Sequence, residues 1–341
     1  MIRIGVCGYG YWGPNLARSF AQNSVFSLSA IADLDSSSRT KARAVAPSAH
    51  IFDSAEDLIG SGEVDAVAIA TPASTHFAFA SDALRRGLHV LVEKPLASSL
   101  AEAEELSRLA RAHRARLLVD HVYLFHDAVI KLKELKNSGV LGKVSYYDSL
   151  RVNLGLFQPD MSVLWDLAPH DFSIMDFLFD EEPVHVEATG YCHVNQQLPD
   201  IVYVTAHYAS RMIAHVNLSW MSPVKVRRIA VAGNKKMAVW DDLNNEERLK
   251  IYDSGVEFHG QDQRRTIIPS YRVGDVYSPR LANEEPIARL IDHFGQVIMK
   301  NVPSQVDEQA GLRIVRLLDR AQRSLDKSLA ALDRQCAAHI L

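Results

Sequence analysis

The chain has 341 residues, 48% of them apolar and 23% charged, which is enough for two domains with full-sized cores. Its net charge of −4 gives no general attraction to nucleic acid or to an anionic membrane. Three cysteines, Cys7, Cys192 and Cys336, form no metal-ligand spacing and no paired disulfide framework.

The first predicted element is a buried parallel strand over residues 2–7. It runs into Gly8-Tyr9-Gly10-Tyr11-Trp12-Gly13 and then into a helix over residues 15–20. Strand, G-x-G-x-x-G and helix, in that order, form the dinucleotide-binding fingerprint. Gly8 allows the tight turn, Gly10 lets the backbone approach a pyrophosphate, and Gly13 lets helix and strand pack closely. The helix N-terminus offers its N–H groups to the phosphates. Because the strand starts at residue 2, no signal peptide is expected. No apolar stretch nears the roughly 18 residues of a membrane span, so a cytoplasmic protein is expected.

A second strand, residues 26–32, ends at Asp33, 20 residues beyond Gly13. An acid there holds the adenosine ribose hydroxyls and repels a 2′-phosphate, which favours NAD over NADP. Arg39, six residues on, argues the other way, and a turn or cap role is the plain alternative for Asp33. Next come a serine-capped helix at 36–45, a strand at 50–52, a helix at 54–59 and a strand at 64–70 that ends at Thr71-Pro72. A helix at 75–86 stops at Gly87. A strand at 88–92, a helix at 100–113 and a strand at 116–119 complete a doubly wound sheet. The first domain is therefore expected over residues 1–122 and the second over 123–341.

The period then changes. Strands are expected at 144–152, 184–190, 201–209, 212–220, 228–232, 236–240 and 248–252, with a hairpin turn at 209–211. They read as a large, open, mostly antiparallel sheet with one polar or ligand-facing surface. Helices are expected at 127–137 and 166–178, and two more at 286–300 and 304–325, which could pack back on the first domain. Residues 253–279 read as a polar irregular segment, either a loop at a substrate mouth or an oligomer arm.

Two clusters carry chemistry. Glu93-Lys94-Pro95 ends a parallel strand, where ligands of doubly wound sheets bind. A lysine there can hydrogen-bond an alcohol or ketone oxygen and stabilise negative charge as hydride moves. A plain surface lysine is the alternative. In Asp166-Leu167-Ala168-Pro169-His170-Asp171, Asp166 and His170 are four apart and share a helix face. Proline is tolerated in the first helical turn, so Asp166 is expected near the cap and His170 just inside. Histidine is the usual base near neutral pH. A cap followed by a buried histidine is the alternative.

These motifs, together with Thr71-Pro72 and His76, occur in one order along the whole chain. The chain is similar to the Gfo/Idh/MocA oxidoreductases. The resemblance implies a Rossmann domain and a C-terminal α/β domain whose open sheet makes homodimer or homotetramer contacts. It also implies NAD or NADP lying over Thr71, Pro72 and His76, with Glu93 and Lys94 near the nicotinamide. Lys94 and His170 would form the catalytic pair, in either order of acid and base, with Asp166 orienting. Many members carry glycines around Asp-x-x-x-His, where this chain has Val163-Leu164-Trp165 and Ala168-Pro169, so a bulkier pocket is expected.

Gly10-Tyr11-Trp12-Gly13-Pro14-Asn15 resembles the branch that oxidises nucleotide-linked amino sugars, of the UDP-N-acetylglucosamine type, at C3. Arg151, Asn153, Lys225, Arg227 and Arg228 could hold a diphosphate, or could be a solvated sheet rim. A free-sugar or cyclitol dehydrogenase and a non-catalytic dinucleotide-binding regulator are the alternatives. Retention of Lys94 and His170 argues against the regulator.

Overall fold

The computed structural model describes residues 1–155, 157–158, 160–195, 197–258, 269–282 and 284–339. The middle of the expected 253–279 segment lies outside the described residues. The chain forms two compact units. Unit 1 is Met1–His126 with Glu284–Asp319, and unit 2 is Asp127–Asn283 with Arg320–Leu341.

Unit 1 alternates strand and helix: β1 (Ile2–Cys7), α1 (Gly13–Ala21), β2 (Phe26–Ala32), α2 (Ser36–Val45), β3 (His50–Phe52) and α3 (Ala55–Gly60). It continues with β4 (Ala66–Ile69), α4 (Ala73–Arg85), β5 (His89–Val92), α5 (Leu100–Ala112), β6 (Leu117–Val119) and a 3-10 turn at Val122–Phe125. The strand order is β3-β2-β1-β4-β5-β6, all parallel. This doubly wound order reverses between β1 and β4, which opens the crevice where dinucleotides bind. All four residues of β4 are buried, as expected for strands covered on both faces.

The helix cap expected at a serine belongs instead to Asp35, whose carboxylate accepts the Ser38 N–H at 2.8 Å. A carboxylate is an equally good N-cap acceptor and sits one residue earlier.

Helix α8 (Pro286–Lys300) returns to unit 1 because Ile287, Leu290, Ile291, Phe294 and Val297 make one apolar stripe. Phe294 stacks on Phe26 at 5.6 Å, and Phe26 meets Phe20 edge-on at 5.0 Å.

Unit 2 contains α6 (Asp127–Asn137), β7 (Val144–Leu154), α7 (Val163–Leu178), β8 (His185–Tyr191), β9 (Ile201–His207), β10 (Ile213–Ser219) and β11 (Met221–Gly233). Then follow β12 (Met237–Asp241), β13 (Leu249–Tyr252), β14 (Gly255–Phe258), β15 (Pro269–Arg272) and β16 (Val276–Tyr277). The eight-stranded sheet has the order β16-β13-β12-β11-β7-β10-β9-β8. It is antiparallel except where β10 pairs with β7. Alternate residues of β9 are buried, so one face is covered. The other face exposes Tyr146, Tyr191, Tyr203 and Ile213.

Two expectations about unit 2 are corrected. Strand β11 is much longer than 228–232 because it pairs along most of β7, with an irregularity between Met221 and Val226. The last helix, α9 (Glu308–His339), starts later and runs further than 304–325. Its first turns belong to unit 1 and the rest to unit 2. In unit 2 the Ala188 N–H donates to Ser324 Oγ at 2.9 Å and fixes β8 on α9. Among the described residues no helix is long and apolar enough to cross a membrane.

Candidate active site

The glycine fingerprint in unit 1 has the geometry its chemistry needs. Gly8 has φ +93°, and a Cβ there would lie 2.7 Å from the Ala70 carbonyl oxygen. A side chain on Gly13 would strike the Gly8 carbonyl. A side chain on Gly10 would meet nothing within 4 Å, so the backbone at Gly10 faces open space. Helix α1 begins three residues on at Gly13, and among the described residues no side chain caps its first N–H groups. Open space beside an uncapped helix start fits a pyrophosphate.

Asp33 sits at the end of β2. Its carboxylate accepts the Tyr9 N–H at 2.5 Å and the Asp35 N–H at 2.8 Å. Arg39 does not reach outward. It donates to the carbonyls of Asp33 and Leu34 and pairs with Asp53 at 2.9 Å. Tyr11 is exposed, whereas Trp12 turns inward and its indole N–H donates to Asp120 at 3.1 Å.

The expected cofactor residues after β4 and β5 are tied together. Thr71 donates to the Thr75 hydroxyl, which donates to the Pro72 carbonyl, both at 2.7 Å. His76 is buried. Its Nδ1 lies 2.8 Å from the Pro95 carbonyl and its Nε2 3.0 Å from the Thr71 carbonyl. The ring thus braces the Thr71-Pro72 turn against the Glu93-Lys94-Pro95 turn, where the Lys94–Pro95 bond is cis.

Two residues missing from the sequence reading complete this end of the sheet. Asp120 and His121 follow β6 and are 2% and 1% exposed. Asp120 and Glu93 lie within hydrogen-bond reach of each other, and burial raises the protonation range of both. Among the described residues His121 has no hydrogen-bond partner on either ring nitrogen. Burial, reinforced by the nearby Lys94 charge, pushes its titration down to about 3, so the ring is neutral. An acid and a histidine directly after a short apolar strand were a usable signal, because they fall at the same sheet edge as Glu93-Lys94.

In unit 2, α7 starts at Val163. Asp166 is therefore its fourth residue and Pro169 its seventh, so Pro169 is not confined to the first turn as expected. The helix tolerates it within a strongly apolar segment: Val163, Leu164, Ala168, Pro169, Phe172 and Ile174 are all buried. Asp166 accepts the Trp220 indole N–H at 3.2 Å. Trp220 is held by Gly155, where any side chain would collide with the indole, and by an edge contact with Phe157 at 5.5 Å.

The expected diphosphate residues divide into engaged and exposed ones. Arg151 is buried and its guanidinium Nε donates to Asp171 at 2.7 Å. Asp171 also accepts the Ser149 hydroxyl at 2.6 Å and is wholly buried. Arg151 thus joins β7 to α7, which a surface role would not require. Arg227 faces Arg151 across β7 and β11 and pairs with Asp242 at 3.4 Å. Asn153 donates to the Leu154 carbonyl at 3.3 Å, and Lys225 and Arg228 are exposed.

Comparison with known proteins agrees with this geometry. Residues 2–121 match the oxidoreductase family model with an NAD-binding Rossmann fold, and residues 129–239 match the GFO/IDH/MocA C-terminal domain. The UDP-N-acetylglucosamine 3-dehydrogenase of Acidithiobacillus ferrooxidans is 30% identical over 319 residues, which are 92% of this chain and 94% of that protein. A crystal structure of that dehydrogenase superposes with a TM-score of 0.81 at 28% identity, covering 96% of this chain and 98% of that one. The inositol 2-dehydrogenase of Leifsonia xyli subsp. xyli is 30% identical over 58% of this chain and 59% of its own length. The chain belongs to the Gfo/Idh/MocA family of NAD-dependent oxidoreductases.

Proposed function

We propose that the protein oxidises a secondary hydroxyl of a sugar to a ketone, with C3 of a UDP-linked N-acetyl amino sugar as the substrate position. The observation that carries this reading is the end-to-end likeness to the Acidithiobacillus UDP-N-acetylglucosamine 3-dehydrogenase. The exposed Lys225 and Arg228 beside Arg227 support it as contacts for a diphosphate. Arg151, engaged by Asp171, would contribute only through the helix it anchors. That engagement favours a second reading, a free-sugar or cyclitol dehydrogenase, for which the Leifsonia enzyme is the relative.

Gly8, Gly10, Gly13, Asp33, Thr71 and Pro72 would hold the dinucleotide, with Tyr11 and Trp12 along its edge. Bound NAD supplies a hydride acceptor. The residues must then remove the hydroxyl proton and stabilise the oxygen. His170 takes the proton, as befits a side chain whose ordinary titration lies near neutrality. Lys94 donates to the developing alkoxide. Asp166, steadied by the Trp220 indole, orients the sugar or the imidazole. The pH profile of the His170→Asn variant distinguishes this assignment from an exchange of roles between Lys94 and His170. Asp33, with Arg39 turned away, favours NAD over NADP. The exposed aromatic face of the large sheet supports a homodimer or homotetramer, and a cytoplasmic location is consistent with the chain.

NADH absorbance decides between the readings. UDP-N-acetylglucosamine should be turned over far faster than N-acetylglucosamine or myo-inositol. Preference for either free compound overturns the nucleotide-sugar reading, and silence with all three returns the non-catalytic regulator.

A further inference from the structure

Glu93 and Asp120 end adjacent parallel strands, and the Asp120 N–H donates to the Val92 carbonyl at 2.7 Å. This pairing draws the two carboxyl groups together inside the unit. Glu93 Oε1 and Asp120 Oδ1 are both buried, and among the described residues neither has a donor. Two buried acceptors facing each other cannot both be satisfied as carboxylates. A single proton between them satisfies both. We propose that Glu93 and Asp120 share one proton, carried on Glu93 and donated to Asp120, and that this pair sets the balance between oxidised and reduced nicotinamide bound beside Lys94. The nicotinamide half of this inference rests on the cofactor placement proposed above.

The side that carries the charge follows from the donors. Asp120 receives the Trp12 indole N–H and the Val122 backbone N–H, and both favour its anion. Glu93 is raised by desolvation first and by repulsion from Asp120 second. The other groups facing the pair are the Lys94 cation and the neutral His121. With one proton held, the pair and Lys94 together are neutral. Hydride transfer to the cofactor removes one positive charge from its ring. A second negative charge nearby would oppose that loss by favouring the oxidised form. The shared proton removes that opposition. As pH rises and the proton leaves, affinity must shift toward NAD over NADH.

Infrared titration of the cofactor-free protein tests the proton, and paired binding titrations test its effect. At pH 7 the wild type should show the carbonyl stretch of a protonated carboxylic acid, lost at alkaline pH and missing in both Glu93→Gln and Asp120→Asn. Each variant replaces the shared proton with an amide N–H and keeps one negative charge. The ratio of the NADH to the NAD dissociation constant should rise with pH in the wild type by about fivefold or more, the lower end of ordinary coupling between sites. It should stay flat in each single variant. No protonated-acid band at pH 7 overturns the proposal. So does a band accompanied by a wild-type ratio that does not change with pH. Failure to oxidise any sugar would overturn the proposed reaction and leave these binding results unaffected.

Discussion

Two buried charged clusters, one in each unit, are built in opposite ways. In unit 2, Asp171 takes the Ser149 hydroxyl and the Arg151 guanidinium, at 2.6 and 2.7 Å. Opposite charges and donors meet, and the cluster joins a strand to a helix. In unit 1, Glu93 and Asp120 bring like charges together, and among the described residues His121 has no partner on either nitrogen. A buried polar group that is left unsatisfied costs stability. Natural sequences keep such groups where a ligand or a proton completes them. Of these two clusters, the satisfied one is scaffolding and the unsatisfied one lies at the candidate site.

Removing one side of the satisfied cluster should have the largest effect. Asp171→Ala leaves the Arg151 guanidinium buried without its carboxylate. Destabilisation of about 3–5 kcal/mol is expected, read as a large fall in the calorimetric melting temperature. The double replacement Arg151→Met with Asp171→Leu should recover much of that loss, since paired charges and apolar residues of similar volume are often equivalent in a core. A single variant as stable as the wild type would remove the scaffolding role.

The fate of Arg151 also shows where the sequence stopped being legible. The unit 1 crevice was readable because its signals are local. Gly8 and Gly13 are fixed by backbone geometry, Gly10 by the fingerprint spacing, Asp33 by its distance along one βαβ unit, and Glu93-Lys94-Pro95 by its place at a strand end. The Arg151–Asp171 pair spans 20 residues across a strand and a helix, and nothing in the period of either segment announces it. The start of α7 was misplaced for a related reason. Proline's intrinsic preference is for the first helical turn, yet tertiary burial of the surrounding apolar residues holds Pro169 in the helix interior. Asp120 was missed because an acid after a strand reads as a turn residue until its neighbour on the next strand is known.

Beside the unsatisfied cluster, substitutions should cost catalysis and spare the fold. Lys94→Ala is expected to lower turnover by about two to three orders of magnitude, as for loss of one preorganised donor. The melting temperature should hardly move. A folded variant with near-normal turnover would remove Lys94 from the chemistry.

His170→Asn addresses the assignment of the base. An ordinary histidine must lose its proton before it can accept one, so activity in the wild type should fall as pH drops through the histidine range. The variant should keep cofactor affinity, lose most activity and lose that acidic limb. An acidic limb that survives unchanged in the variant assigns the base to another group, with Lys94 the first candidate.

Asp33 is the smallest effect and the most demanding case for the comparison. Both of its oxygens are satisfied by backbone N–H groups, so by analogy with Asp171 it should be scaffolding. Yet it stands where the adenosine ribose is expected, and a 2′-phosphate would meet its charge. Two like charges about 4 Å apart in water repel by about 1 kcal/mol, worth roughly fivefold in affinity. Asp33→Asn keeps an acceptor for one N–H and removes the charge. The preference for NAD over NADP should therefore narrow by about that factor. Arg39→Ala should leave the preference unchanged, because the Arg39 guanidinium is already engaged by Asp53 and two carbonyls. Isothermal titrations with both cofactors read all three proteins. If Asp33→Asn weakens NAD and NADP equally, Asp33 only shapes the Tyr9 loop, and full satisfaction is a sufficient mark of scaffolding. If the preference narrows, a satisfied carboxylate can also select a ligand, because two backbone N–H donors fix its position and leave its charge to face the cofactor.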